Sequence, residues 1–120
     1  MPELTQDSAH AIVASYRALQ TGAAESHPGL SGPEQFASRA VALGLEAPGF
    51  DWGEWEPVQS RRFESPEVAA EADVETLKRL MTAHLRTHRF VGGHLDRMEE
   101  EGVLAAIVDR LGELAEAGQI

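Results

Sequence analysis

A chain of 120 residues is long enough for one domain with a modest core and too short for two of ordinary size. It has no cysteine, which excludes disulfides, thiolate nucleophiles and cysteine-held zinc or iron–sulfur groups. Twenty acids against ten bases give a net charge of −10, so the chain repels nucleic acid and anionic membranes at long range and attracts basic partners.

Residues 8–20 carry apolar Ala9, Ile12, Val13, Tyr16 and Leu19 at helical spacing behind Ser8, a candidate N-cap. The Gly, Pro and Ser of "TGAAESHPGLSGP" predict a loop over 21–33. A second helix starts at Pro33, turns Phe36, Ala40, Val41 and Leu43 to one side, and stops at Gly44. The stretch 47–57 has no long period. Asp51 with Glu54 predicts a capping box and one short turn through Trp52 and Trp55, ended by Pro57.

The second half is more regular. Ser65-Pro66-Glu67 opens a short helix through Ala72, and Asp73 caps a longer one, 74–90, with Leu77, Leu80, Met81 and Leu85 on its apolar face. Gly92-Gly93 breaks it. A short helix follows from His94 to Glu101. The last helix, 103–117, buries Leu104, Ile107, Val108, Leu111 and Leu114. No strand alternation is present, and the expectation is an all-α single domain over 1–120, of about five or six helices, with an irregular aromatic loop in the middle. No apolar run approaches the ~20 residues of a membrane span. The acids near the N-terminus do not suit a signal peptide, so a cytoplasmic protein without membrane contact is expected. Nine arginines to one lysine, with abundant Ala and Gly, resemble GC-rich bacterial or phage coding.

The segments "FDWGEW" and "ADVETLKRLMTAHLRTHRFVGGHLDRMEEEGVLAAIVDRL" resemble a bacterial family of uncharacterised small proteins, a domain of unknown function, over about residues 47–114. The resemblance rests on FDWxEW and on TxHxRxxRFxxGHL, here Thr82, His84, Arg86, Arg89, Phe90, Gly93, His94 and Leu95. It departs at His88, where the family pattern carries an acid. It implies a shared fold and supplies no activity.

Four groups of residues are candidates for function. At ~100° per residue, His84 and His88 fall within about 20° of Leu77, on the apolar face, and His94 could fold back across the glycines as a third metal ligand. Position 85 is Leu, so there is no HExxH motif and no adjacent base, and no carboxylate stands at ligand spacing. The plainer reading is core-edge histidines bonded to backbone or to an acid, with His94 capping the next helix, and no metal or other cofactor is expected. Lys78, Thr82, Arg86, Arg89 and Arg79 form a second stripe at about 100° to 200°, roughly opposite the core. This stripe is either an anion-recognition face or a set of arginines paired internally, Arg79 with Glu75 first. Trp52 and Trp55 are suited to a contact surface, or to pinning the loop to the core. Glu99, Glu100 and Glu101 form an acidic run on a helix.

P-loop, nucleophile-elbow and dinucleotide motifs are all missing from the sequence. The expectation is a non-enzymatic acidic module that binds a protein partner, a basic one by charge, and makes no direct contact with nucleic acid. The contact residues expected are Arg86, Arg89, Trp52, Trp55, Glu99, Glu100 and Glu101. By class analogy it would be a phage- or mobile-element-type inhibitor of a nucleic-acid-handling protein, of the anti-CRISPR or anti-restriction kind. The alternative is a metal- or histidine-dependent enzyme that acts on an anionic substrate through His84, His94, Arg86 and Arg89.

Overall fold

The computed structural model of the protein describes residues 3–22 and 29–120, so positions 23–28 of the expected loop lie outside the described residues. Among the described residues there are seven α-helices and no strand: α1 (Gln6–Thr21), α2 (Gly32–Ala42), α3 (Glu56–Gln59), α4 (Pro66–Ala70), α5 (Val74–His88), α6 (His94–Glu100) and α7 (Val103–Glu116). Two 3-10 turns, Trp52–Glu54 and Arg62–Glu64, flank α3. The architecture is all-α, as the periodicity requires. The short α3 was not expected. Pro57 does not end the aromatic segment but sits at the second position of α3, where a missing N–H leaves no helical bond unmade.

The core is organised around α7. Leu104, Ile107, Val108, Leu111 and Leu114 are all buried, and α7 packs on α1, α4, α5 and α6. Helix α1 contributes Ala9, Ile12, Val13 and Tyr16, and α2 contributes Phe36, Ala37 and Ala40. Tyr16 and Phe36 meet edge to face, with ring centres 5.2 Å apart. The Tyr16 hydroxyl donates to Glu99 on α6, and burial together with that carboxylate pushes the phenol above its ordinary value.

Caps fix the helix starts. Thr5 rather than Ser8 is the N-cap of α1: the Ser8 N–H donates to Thr5 Oγ1 (3.1 Å) and the Thr5 N–H to Ser8 Oγ (2.7 Å). Ser31 and Glu34 make the same reciprocal pair at α2. Asp73 accepts from the Thr76 N–H at 2.8 Å and starts α5. At 51–54 the expected box does not form, and Asp51 makes no side-chain cap bond. Trp55 already has extended backbone as the N-cap of α3, so only one turn closes before it. Gly44 has φ +105°, and a Cβ there would lie 2.6 Å from the Leu4 backbone nitrogen, so glycine alone lets the N-terminal segment cross the end of α2.

Helix α5 carries six of the candidate residues, Lys78, Arg79, Thr82, His84, Arg86 and His88, and two of its faces are covered. Leu77, Leu80, Met81 and His84 turn to the core. Thr82, expected within the polar stripe, is also buried, at 4 % exposure. Its hydroxyl accepts the Ala47 N–H (2.8 Å) and donates to the Lys78 carbonyl (2.9 Å), so residues 45–47 lie over the middle of the stripe. Thr82→Val keeps the shape and strands the Ala47 N–H in a buried site, at an expected cost of about 1–3 kcal/mol in denaturant unfolding. Thr82→Ser should recover most of that loss. Equal stability of the valine variant and the native protein would remove this pin from the fold. Helix α5 ends at His88, two residues short of expectation, where the N–H groups of Phe90 and Val91 both donate to the Thr87 carbonyl. No helix among the described residues is long and apolar enough to cross a membrane.

Candidate functional site

His84 and His94 meet inside the protein. Gly93 is the N-cap of α6, at φ +79°, and His94 is the first helical residue rather than the cap. The reversal at Gly92-Gly93 folds His94 back onto α5. Nδ1 of His84 and Nε2 of His94 are 3.0 Å apart, and one ring donates to the other. Both side chains are sealed, at 0 % and 1 % exposure, and Phe63 stacks on both rings, with centres 4.8 and 6.0 Å away. The outer nitrogens, Nε2 of His84 and Nδ1 of His94, have no hydrogen-bond partner of normal geometry. Burial, with the second ring next to it, drives His84 down to about 3; the backbone of Phe63 opposes this only in part. His94 is lowered as well, by burial first, with Glu64 pulling the other way and Arg97 adding to the depression. Both imidazoles are therefore neutral at pH 7.

His88 does not join them. Its Nε2 lies 3.0 Å from a Glu34 carboxylate oxygen on α2, and its Nδ1 accepts the Leu95 N–H at 3.3 Å. Both ring nitrogens are thus engaged away from the buried pair. Among the described residues no group of three or more His, Asp or Glu side chains is arranged to hold a metal ion.

The arginines face the other way. Arg86 and Arg89 open into a groove of about 250 Å³ between α2 and α5, together with Ser38, Val41, Glu46 and Leu85. Neither makes an ion pair among the described residues, whereas Arg79 pairs with Glu75 at 3.6 Å, as expected, and lies 5.7 Å from the ring centre of Phe50. The groove does not include His84 or His94. The four residues of the enzyme alternative therefore do not converge: two are sealed beneath Phe63 and two open to solvent across the helix.

The aromatics divide. Phe63 belongs to the core. Trp52 and Trp55 are half-buried against the edge of the core but have different neighbours. Trp55 meets Phe50 edge to face at 5.6 Å, and Trp52 stacks on Phe90 at 6.5 Å. Phe90 is 79 % exposed, with exposed Val91 beside it. The contact residues expected from the sequence, Trp52, Trp55, Arg86, Arg89, Glu99, Glu100 and Glu101, did not include Phe90, although Phe90 stands in the "RF" of the motif that carries the resemblance. Of the acidic run, Glu99 is held by Tyr16, while Glu100 and Glu101 are exposed.

A family model described as a family of unknown function, DUF6508, matches residues 3–117. The chain belongs to that family. The match takes in α1 and α2 as well as the 47–114 stretch where the motifs stand, so the whole helical domain is the DUF6508 unit. No curated protein and no solved structure matches this DUF6508 chain.

Proposed function

We propose that this DUF6508 protein is a non-enzymatic, cytoplasmic protein-binding module, and that its contact surface is the Trp52–Phe90 stack beyond the end of α5. The observation that carries this reading is Phe90 itself: a large apolar ring 79 % exposed, stacked on a tryptophan that the core edge holds in place. Such an anchor desolvates well in a complex, and aromatic residues dominate contact energies. Val91 extends the apolar patch, and exposed Asp51 and Glu54 border Trp52. The partner presents an apolar pocket for Phe90 and a basic surround that matches the net charge of −10. A protein that handles nucleic acid carries such basic surfaces. Exposed Glu100, Glu101, Asp109 and Glu116 would compete there with phosphates, which is the inhibitor reading in its finer form.

The test places a photo-crosslinking phenylalanine analogue at position 90, at position 116 and, as a control, at exposed Glu71, in the cells that make the protein. A discrete adduct at 90 that disappears on Trp52→Ala and weakens with rising salt is expected. Adducts no stronger at 90 than at 71 would overturn the surface. An adduct at 116 with none at 90 would move the contact to the acidic helices.

A further inference from the structure

The groove between α2 and α5 is separate from the Trp52–Phe90 surface and has its own chemistry. We propose that it binds a single aliphatic amino acid as a zwitterion, with the ligand carboxylate on Arg86 and Arg89, its ammonium group on Glu46, and its side chain against Val41 and Leu85. The charges carry the argument. Arg86 and Arg89 make no ion pair among the described residues, although the chain has twice as many acids as bases. Glu46 stands in the same groove and is likewise unpaired among the described residues, including to either arginine. Opposite charges that share one groove without closing on each other leave room for a ligand that carries both signs. Two guanidinium groups suit a carboxylate, which accepts paired N–H donors.

The groove is also held in shape. Thr82, also in the lining, accepts the Ala47 N–H at 2.8 Å, and the Leu45 N–H donates to the Ala40 carbonyl at 2.9 Å, so the backbone is fixed on both sides of Glu46. Both hydrogen-bonding directions of the Thr82 hydroxyl are used, which leaves the Ser38 hydroxyl as the neutral polar group of the rim. The volume of about 250 Å³ lies below the ~300–1,000 Å³ of sites for drug-sized ligands and suits a molecule of amino-acid size. Glu46 also decides against an inorganic dianion, because phosphate on the arginines would face a carboxylate with nothing to neutralise it.

The test is a titration of the full chain with L-leucine, followed by amide NMR shifts, beside three probes that each lack one feature: 4-methylpentanoate (no amine), isoamylamine (no carboxylate) and inorganic phosphate. Saturable shifts at Val41, Glu46, Leu85 and Arg89 are expected with leucine, at an affinity about tenfold above either half-ligand. Arg86→Gln should lower leucine affinity about tenfold and leave isoamylamine unchanged, and Glu46→Gln should bring leucine down to the level of 4-methylpentanoate. Arg89→Gln is the second carboxylate variant should Arg86→Gln disturb the fold. No saturable leucine binding, phosphate binding that exceeds leucine, or full leucine affinity in the arginine variants would each overturn the proposal. None of these outcomes bears on the Trp52–Phe90 surface, whose residues lie outside the groove.

Discussion

Stability should fall steeply as pH drops below about 6.5, because the buried histidine pair cannot take up protons. His84 has a folded value near 3 against an ordinary 6.5. Above 6.5 it is neutral in both states, and its contribution is fully present. Between the two values the unfolded chain binds a proton that the folded protein refuses, so stability is lost as pH falls towards the folded value. At about 1.4 kcal/mol per pH unit, His84 alone accounts for on the order of 5 kcal/mol across that window. His94 is shifted in the same direction and adds to it. The groups around the pair do not cancel the effect, since Arg97 disfavours a second positive charge and Glu64 is already bonded to Arg97 at 2.8 Å. Carboxylates with lowered values, such as Asp73 and Glu34, lose their own contribution only at more acid pH, so the upper part of the window belongs to the histidines. Denaturant unfolding from pH 8 down to about 4.5 measures this directly. In His84→Gln the glutamine does not titrate, and the slope should flatten even though stability at pH 8 is lower. An unchanged slope in that variant would mean that the pair is not the acid-sensitive element.

Leu80→Ala should cost about 2–5 kcal/mol, since the side chain is 1 % exposed in the middle of α5 and its removal leaves a cavity that the packed neighbours fill only in part. Leu85 is half-buried and lines the groove, so Leu85→Ala should cost less. Equal losses, or no loss at 80, would show that the rotational phase of α5 is wrong, and with it the sealed position of His84 and the open position of Arg86.

The parts of this fold that the sequence made legible are those with a repeating apolar period and a chemical stop. Helix α7 could be read residue by residue, because Leu104, Ile107, Val108, Leu111 and Leu114 follow one helical face and all are buried. The meeting of His94 with His84 was readable as a possibility from Gly92-Gly93, since a double glycine permits the reversal that brings α6 against α5. Other features depend on contacts distant in sequence. Thr82 looked solvated on a helical wheel and is buried, because the segment 45–47 covers that face, and no local pattern announces a covering loop. Glu34 as the partner of His88 is 54 positions away. Phe63 is close to the tryptophans in the chain, yet it stacks on the histidines. Phe90 was legible only as part of a motif, because its partner, Trp52, lies in another segment, and a single phenylalanine near a helix end gives no sign of whether it points in or out. Arg86 and Arg89 could be placed on one stripe, but Glu46, which shares their groove, is supplied by the segment after α2, which the period of α5 cannot reveal.

On the proposed reading, Phe90 serves recognition and not folding. A paired experiment on Phe90→Ser separates the two roles: unfolding stability, and affinity for the partner captured at that position. Stability should stay within about 0.5 kcal/mol of the native protein, as for an exposed side chain, while affinity should fall by about 2 kcal/mol or more, about thirtyfold. A variant that loses stability while binding its partner with native affinity would contradict this reading.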